Sequence, residues 1–437
     1  MAKVLITRIS SFGDVAMLVP VVFSVAARYP QDRFVVLTRK AFAPLFENLG
    51  FNIHAITFDK RKHDGLGGTM RLLFKVGGYG FSHVADVHDV LRTKVLRKWM
   101  LILGKKVRHI DKGRGEKQDM ISSKRVTPPL IPTANRYMDV FQKLGFEAEM
   151  VFKNFFEFDE KSFYSLRTIV TEKKGKWVGV APFSKHKEKI YPLDRTEDIV
   201  RTLSEDTEVS IFLFGAGANE KKILDSWEKK YPRVICVSGK VNLMNELLLI
   251  SYLDVMLSMD SANMHLASLV ETPVVSIWGA THPSLGFYGF GQKEEDAIQT
   301  SIECRPCSVY GEIPCVRGDC ACLTRIKKEV VLDRIYSYLK IESVEIKVDD
   351  HRVEPSGDEK ALIELDEKIK EFVIDTDKEQ QGEEDIIEII EENDHNSSIS
   401  GPDLSDIEQT FTEDNLEEEN TKNTNPEIIP RKKYNRI

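Results

Sequence analysis

Cysteine is scarce in this chain: there are six in 437 residues, and five of them lie between Cys304 and Cys322. So few thiols cannot staple a molecule of this length, which points away from a disulfide scaffold and toward a reducing compartment. Long apolar runs are also missing. No stretch of about twenty uninterrupted apolar residues occurs, which removes a spanning helix. The opening apolar stretch is broken by Arg8 and Asp14 with no convincing small-residue cleavage site after it, which argues against a signal peptide. The expectation is a soluble, cytoplasmic protein, at most docked on a membrane.

Charge is abundant but unevenly placed. The formal net charge is -8, from 61 basic and 69 acidic side chains. Residues 341 to 437 alone hold 30 acidic and 11 basic groups, so the remainder carries 50 basic against 39 acidic, or +11. The folded part is therefore basic and suits an anionic ligand or surface. From about Glu342 the chain is acidic and polar, with few aromatics, and disorder is its expected state. A short apolar island at Ile386 to Ile390 and the basic Arg431-Lys432-Lys433 are exceptions within it.

The length exceeds what one core usually organises, so two domains plus an extension are expected. Lys3 to Thr7 reads as a strand, followed by Arg8-Ile9-Ser10-Ser11-Phe12-Gly13-Asp14 and then helical spacing from Val15 to Tyr29. Strand, glycine-containing loop and helix open a doubly wound α/β domain. The rhythm recurs at Phe34 to Leu37, Ile53 to Phe58 and His83 to Val87. A second cycle starts at Trp177 to Pro182 and runs through Val209 to Gly215 and Val234 to Val237. It ends in Leu253 to Leu257, a polar turn, a helix opening at Ala262, and Thr272 to Ile277. That last βαβ unit has loops able to hold a nucleotide diphosphate, which points to a nucleotide-sugar transferase. The expected fold class is α/β, with Rossmann-like domains at 1–165 and 166–340, a cleft between them, and a disordered tail at 341–437.

Four separated motifs carry the chemistry. In Ser10-Ser11-Phe12-Gly13-Asp14, with Pro20 following, Asp14 can accept a proton from a hydroxyl or cap the helix behind it. In Ser184 to Pro192, Lys189 can neutralise a departing diphosphate and Ser184 can bond a phosphate oxygen. Lys185 and Lys187 blur the choice of lysine, and a lysine-rich surface loop is the plainer reading. Gly215-Ala216-Gly217-Ala218-Asn219-Glu220 sets a carboxylate at a helix start, where it can accept from ribose hydroxyls or simply favour the helix end. Asp260-Ser261-Ala262-x-x-His265 would aim backbone amides at a diphosphate; a helix cap and a satisfied core histidine are the alternatives.

Taken in order, these motifs resemble the signatures of glycosyltransferase family 9, the heptosyltransferases, over roughly residues 1 to 340. Ser11-x-Gly13-Asp14 with Pro20 is similar to the family's S-x-G-D-x-x-x-x-x-P, Lys189-Ile190-Tyr191-Pro192 to K-x-W-P, and Asp260-Ser261-Ala262-x-x-His265 to D-[ST]-G-x-x-H. The resemblance implies a GT-B fold and inverting transfer of a heptose from an ADP-sugar to the inner core of lipopolysaccharide. By the same resemblance Asp14 is the general base, Glu220 reaches the adenosine, and Ser184, Lys189, Asp260, Ser261, Ala262 and His265 hold the donor. Alanine at 262 departs from the usual glycine, so that position needs a negative φ or a wider phosphate approach.

Arg61, Lys62, His88, Arg92 and Arg114 are candidates for an anionic acceptor in the amino-terminal half. Lys94 to Lys106 interleaves basic and apolar residues in a pattern suited to an anionic lipid surface, or to an ordinary basic helix. No cofactor or metal is obligatory, because a lysine and a helix dipole stand where other transferases use a cation. Cys304, Cys307, Cys315, Cys320 and Cys322 meet the ligand count for a structural zinc, with reduced or partly paired thiols as the alternative. Nucleic acid is not expected as a partner. Two other classes share the architecture: a nucleotide-sugar epimerase, and a non-catalytic nucleotide- or glycan-binding protein.

Overall fold

The computed structural model describes residues 1–63, 65–157 and 163–339. The acidic tail at 341–437, its apolar island and its basic end lie outside the described residues.

Two parallel sheets organise what is described. The first contains β1 (Lys3–Thr7), β2 (Arg33–Arg39), β3 (Ile53–Phe58), β4 (His83–Asp86) and β5 (Lys106–His109) in the order β3-β2-β1-β4-β5. The second contains β6 (Lys176–Ala181), β7 (Val209–Leu213), β8 (Val234–Cys236), β9 (Val255–Met259), β10 (Val274–Trp278) and β11 (Ala297–Gln299) in the order β11-β10-β9-β6-β7-β8. Every pairing is parallel, with β1 registered on β2 through Lys3 opposite Arg33 and β9 on β10 through Met256 opposite Val274. Parallel strands are covered by helices on both faces, which is why their central members read as continuous apolar runs. All five residues of β9 and of β10 are buried.

The strands missing from the sequence reading are β5 and β11, a short edge member of each sheet. In β5 only Val107 is buried, so no apolar run announces it. The helix expected from Val15 instead begins at Phe12 and runs to Arg28. The Asp14 carboxylate accepts from the Ser11 backbone N–H at 3.3 Å and from the Ser11 hydroxyl at 2.7 Å, which satisfies the helix start three residues earlier than periodicity suggests.

The strand order sets where ligands can sit. In an open parallel sheet the crevice forms beyond the carboxyl ends of the strands, where the order reverses direction. In the first sheet the reversal lies between β1 and β4, so the loops carrying Asp14 and His88 flank it. In the second it lies between β6 and β9, so the loops carrying Ser184 to Lys189 and Asp260-Ser261 flank it. One apolar cluster runs through both halves, joining Val15, Val19 and Val22 of the first helix to Met264 and Leu266 of the helix Ala262–Leu269. Outer clusters cover the far face of each sheet.

Candidate active site

The two reversals face one another through the starts of two helices. At Gly13, in the first turn of Phe12–Arg28, an added Cβ would stand 2.9 Å from His265 Cδ2 and 3.7 Å from Ala262 Cα. Only a residue without a side chain allows this approach. Ala262 is the first residue of its helix and is absent from the left-handed residues, so its φ is negative and its methyl is accommodated. The doubt over alanine at this position is thereby answered locally.

On the first side, the partly exposed Asp14 forms an ion pair with the buried Arg8, whose other guanidinium nitrogen donates to Val87 O at 2.9 Å. Tyr137 lies beneath, its ring 5.9 Å from the Arg8 guanidinium and its hydroxyl 3.4 Å from Asp14 O. Burial raises the Asp14 pKa, but the Arg8 charge and the Ser11 hydrogen bonds outweigh it and hold the carboxyl at about 2. His88 is buried beside it, 3.5 Å from Ser10 Oγ, and is kept neutral by burial and by the charges of Arg8 and Lys112.

On the second side, Asp260 is the hub. Its Oδ2 accepts from Thr281 Oγ1 at 2.7 Å and meets Lys189 Nζ at 3.0 Å, while its backbone carbonyl accepts from Ser184 Oγ at 3.3 Å. Ser261 contacts Ser258 through their hydroxyls at 3.3 Å. His265 is buried; desolvation outweighs the pull of Asp260 and Asp14 and lowers its pKa to about 4, so the imidazole is neutral at physiological pH. Its Nδ1 is buried with no hydrogen-bond partner. Glu220 caps its own helix, accepting from Ala216 N at 2.6 Å, and burial raises its pKa. It stands at the strand-end rim after β7, next but one to the reversal.

The proposed acceptor cations divide. His88 sits beside Asp14, and Arg114 lines a cavity of about 500 Å³ together with Arg108, His109, Lys112, Lys143 and Asp89. Arg61 and Lys62 are exposed on the short helix Lys60–His63 after β3, the edge strand, and Arg92 lies over the Phe58 ring at 4.8 Å. Two lysines of the 111–117 segment are more closely involved. Lys112 and Lys117 are desolvated and crowded by cations, Arg8 and Arg114 for the first and Arg136 for the second, and each pKa falls to about 8. Arg8 was not among the sequence candidates, although a cation at the carboxyl end of β1, beside the S-x-G-D motif, was a usable signal.

The five cysteines from Cys304 to Cys322 lie within electrostatic reach of one another. All six are free thiols, Cys307 donates to Cys304 O at 3.0 Å, and among the described residues no three His, Cys, Asp or Glu side chains are grouped to hold a metal.

A carboxylate at one strand-end crevice and a lysine with a helix amino terminus at the other are the parts of a glycosyltransferase of GT-B architecture. Comparison with known proteins takes the assignment further: the family model for glycosyltransferase family 9 (heptosyltransferase) matches residues 73–313, and the chain belongs to that family. The lipopolysaccharide core heptosyltransferase OpsX of Haemophilus influenzae is 23% identical over 287 residues, which cover 64% of this chain and 79% of that protein. Among solved structures, the E. coli heptosyltransferase WaaC with ADP superposes with a TM-score of 0.56 at 16% identity, covering 77% of this chain and 99% of WaaC. The family 9 glycosyltransferase of Veillonella parvula gives 0.58 at 16% identity, covering 78% and 97%. At such identities the likeness establishes the fold.

Proposed function

We propose that the chain moves a heptose from ADP-heptose to the inner core of lipopolysaccharide, with inversion at the anomeric carbon. Asp14 takes the proton of an acceptor hydroxyl as that oxygen bonds to the anomeric carbon. The bond from that carbon to the diphosphate oxygen breaks, and ADP departs with the electron pair. Lys189, Ser184 and the amides at Ser261 and Ala262 receive the developing charge, and Glu220 accepts from the adenosine ribose. Asp260 and His265 set the donor sugar. In this reading residues 1–165 hold the acceptor, with His88, Arg92, Arg114, Arg61 and Lys62 lining its approach, and residues 166–340 hold the donor.

The observation that carries the reading is the close approach of Gly13 to His265 and Ala262, which sets the Asp14 turn against the helix that would bind the diphosphate. Membership of a transferase family favours transfer over the epimerase and binding-protein alternatives. A peripheral site on the cytoplasmic face of the inner membrane fits the surface of the helices Gly65–Gly77 and Leu91–Ile102. Phe74 and Ile102 are exposed there, with Met70, Val95 and Leu101 around them and Lys75, Lys94 and Lys98 alongside. Exposed apolar side chains on helices that also carry lysines suit anionic headgroups. No described helix is long and apolar enough to cross a membrane.

A thermal-shift panel of nucleotide-sugars tests the donor. ADP-heptose at a hundredfold excess over its dissociation constant should stabilise the protein by about 2.7 kcal/mol. Equal shifts from UDP- and GDP-sugars would remove the donor assignment.

A further inference from the structure

The segment after β11 carries the cysteines, and its course brings a residue to the site that no sequence motif marks. Arg305 ties the segment down, donating from Nε and Nη2 to Thr281 O at 3.2 and 2.7 Å and from Nη1 to Thr300 O at 3.0 Å. Thr281 is the residue whose hydroxyl bonds Asp260. Cys307 N donates to Ala280 O at 2.8 Å, and Lys124 of the amino-terminal half reaches across to Pro306 O at 2.7 Å. The segment is thus fastened to both halves.

It then folds into a tight turn. The buried Ser308 hydroxyl accepts from Gly311 N at 2.6 Å and Glu312 N at 3.1 Å and bonds the Glu312 carboxylate, which also accepts from Tyr310 N at 2.9 Å. Gly311 has φ +92°, and a Cβ there would stand 2.5 Å from Lys189 Cδ, so the turn lies directly on the lysine stem of the donor side. Tyr310 is presented from this turn. Its ring lies 5.4 Å from Phe287, inclined at 46°, and the Phe287 ring in turn carries the buried Lys117 ammonium 4.1 Å from its centre. The phenol lies within electrostatic reach of Asp14, Arg8 and Arg114.

An aromatic side chain that is 47% exposed is ordinary on a random surface. Here the turn that carries it is fixed by four hydrogen bonds, one of them from the Tyr310 backbone, the next residue lies on the diphosphate lysine, and a cation stands over the adjoining ring. Such an arrangement matches a ring-shaped ligand with one apolar face and an acidic substituent.

We propose that Tyr310, backed by Phe287, is the platform on which the acceptor sugar rests, with its acid group directed to Lys117 and Arg114. The acceptor site is then composite: its base and cations come from the amino-terminal half and its aromatic floor from the carboxyl-terminal half. This inference rests on the transfer reading proposed above, and names the chemistry of its acceptor as an anionic sugar.

The test compares Tyr310→Ala and Tyr310→Phe for acceptor KM, kcat and calorimetric affinity, using Kdo-lipid A in micelles and ADP as separate titrants. Loss of the ring should weaken acceptor KM and affinity about tenfold with ADP affinity unchanged, and phenylalanine should restore most of the loss because the face, not the hydroxyl, does the binding. Unchanged acceptor affinity in Tyr310→Ala, an equal loss of ADP affinity, or a failure of phenylalanine to restore it would each overturn the platform. If the unaltered protein transfers nothing from ADP-heptose, the proposed function fails, and the calorimetric comparison still decides the platform: Tyr310-dependent binding of Kdo-lipid A upholds it and absent binding overturns it.

Discussion

Replacing Gly13 by alanine tests whether the two crevices work as one site. The added Cβ would stand 2.9 Å from His265 Cδ2, whereas carbon atoms are comfortable at about 3.5–4.0 Å, so something must move by roughly 0.6–1 Å. His265 is buried and cannot swing aside, and the helix Ala262–Leu269 carries both it and Ala262. Overpacking of this kind costs about 1–3 kcal/mol, and the better helix propensity of alanine returns up to about 1 kcal/mol. The net loss of roughly 0–3 kcal/mol should lower the melting temperature by no more than a few degrees. Turnover should suffer far more, because a displacement of about 1 Å between reacting groups can reduce a rate ~100-fold. Steady-state kcat, ADP titration and a thermal melt on the same preparation separate the effects: kcat is expected to fall ~10- to 100-fold with ADP affinity within about threefold. A folded variant whose kcat stays within about twofold would refute the junction as the element that aligns base and donor.

Two further perturbations follow from the same geometry. Lys189→Met keeps the stem that packs under Gly311 but removes the ammonium, and should lower kcat ~100- to 1000-fold, as loss of one preorganised charge-stabilising donor does; it should also lower the melting temperature, because the buried Asp260 loses its ion partner. A small effect on kcat would move the diphosphate role to Lys185 or Lys187. The pH profile of kcat/KM for the acceptor should be flat from about pH 5 to 7 and fall above about 8. Asp14, held at about 2, stays ionised throughout, whereas Lys112 and Lys117 are only half-charged at about pH 8 and lose their hold on an anionic sugar as pH rises through that value. An acidic limb near pH 6 would show that a histidine, not these groups, controls the step.

The fold was legible wherever one residue run did one job. β2 at Arg33–Arg39 and β9 at Val255–Met259 read as apolar stretches because central parallel strands are buried on both faces, and the helix opening at Ala262 was marked by the polar turn before it. The candidate site was legible as motifs, and Asp14, Ser184, Lys189, Asp260 and His265 do lie together. What the motifs could not convey was pairing. Asp14 stands near His265, whose ring lies against Gly13, some 250 residues on; Lys189 is matched with Asp260; and Tyr310, from late in the described chain, comes within electrostatic reach of Asp14. Such contacts depend on how two sheets face each other, and no local pattern encodes that. The alternatives of capping and catalysis at Asp14 also proved compatible in geometry, since one carboxylate oxygen can bond Ser11 at the helix start while the group lines the crevice.

If Asp14 removes the acceptor proton at a junction where the other half holds the donor independently, loss of its basic oxygen alone must stop transfer. Asp14→Asn preserves size and the Ser11 contacts while removing the basic oxygen. Transfer from ADP-heptose to Kdo-lipid A, followed by mass spectrometry of the product, should fall ~100- to 10,000-fold in rate, with ADP binding by calorimetry unchanged. Transfer at the unaltered rate by Asp14→Asn would remove Asp14 from the role of base.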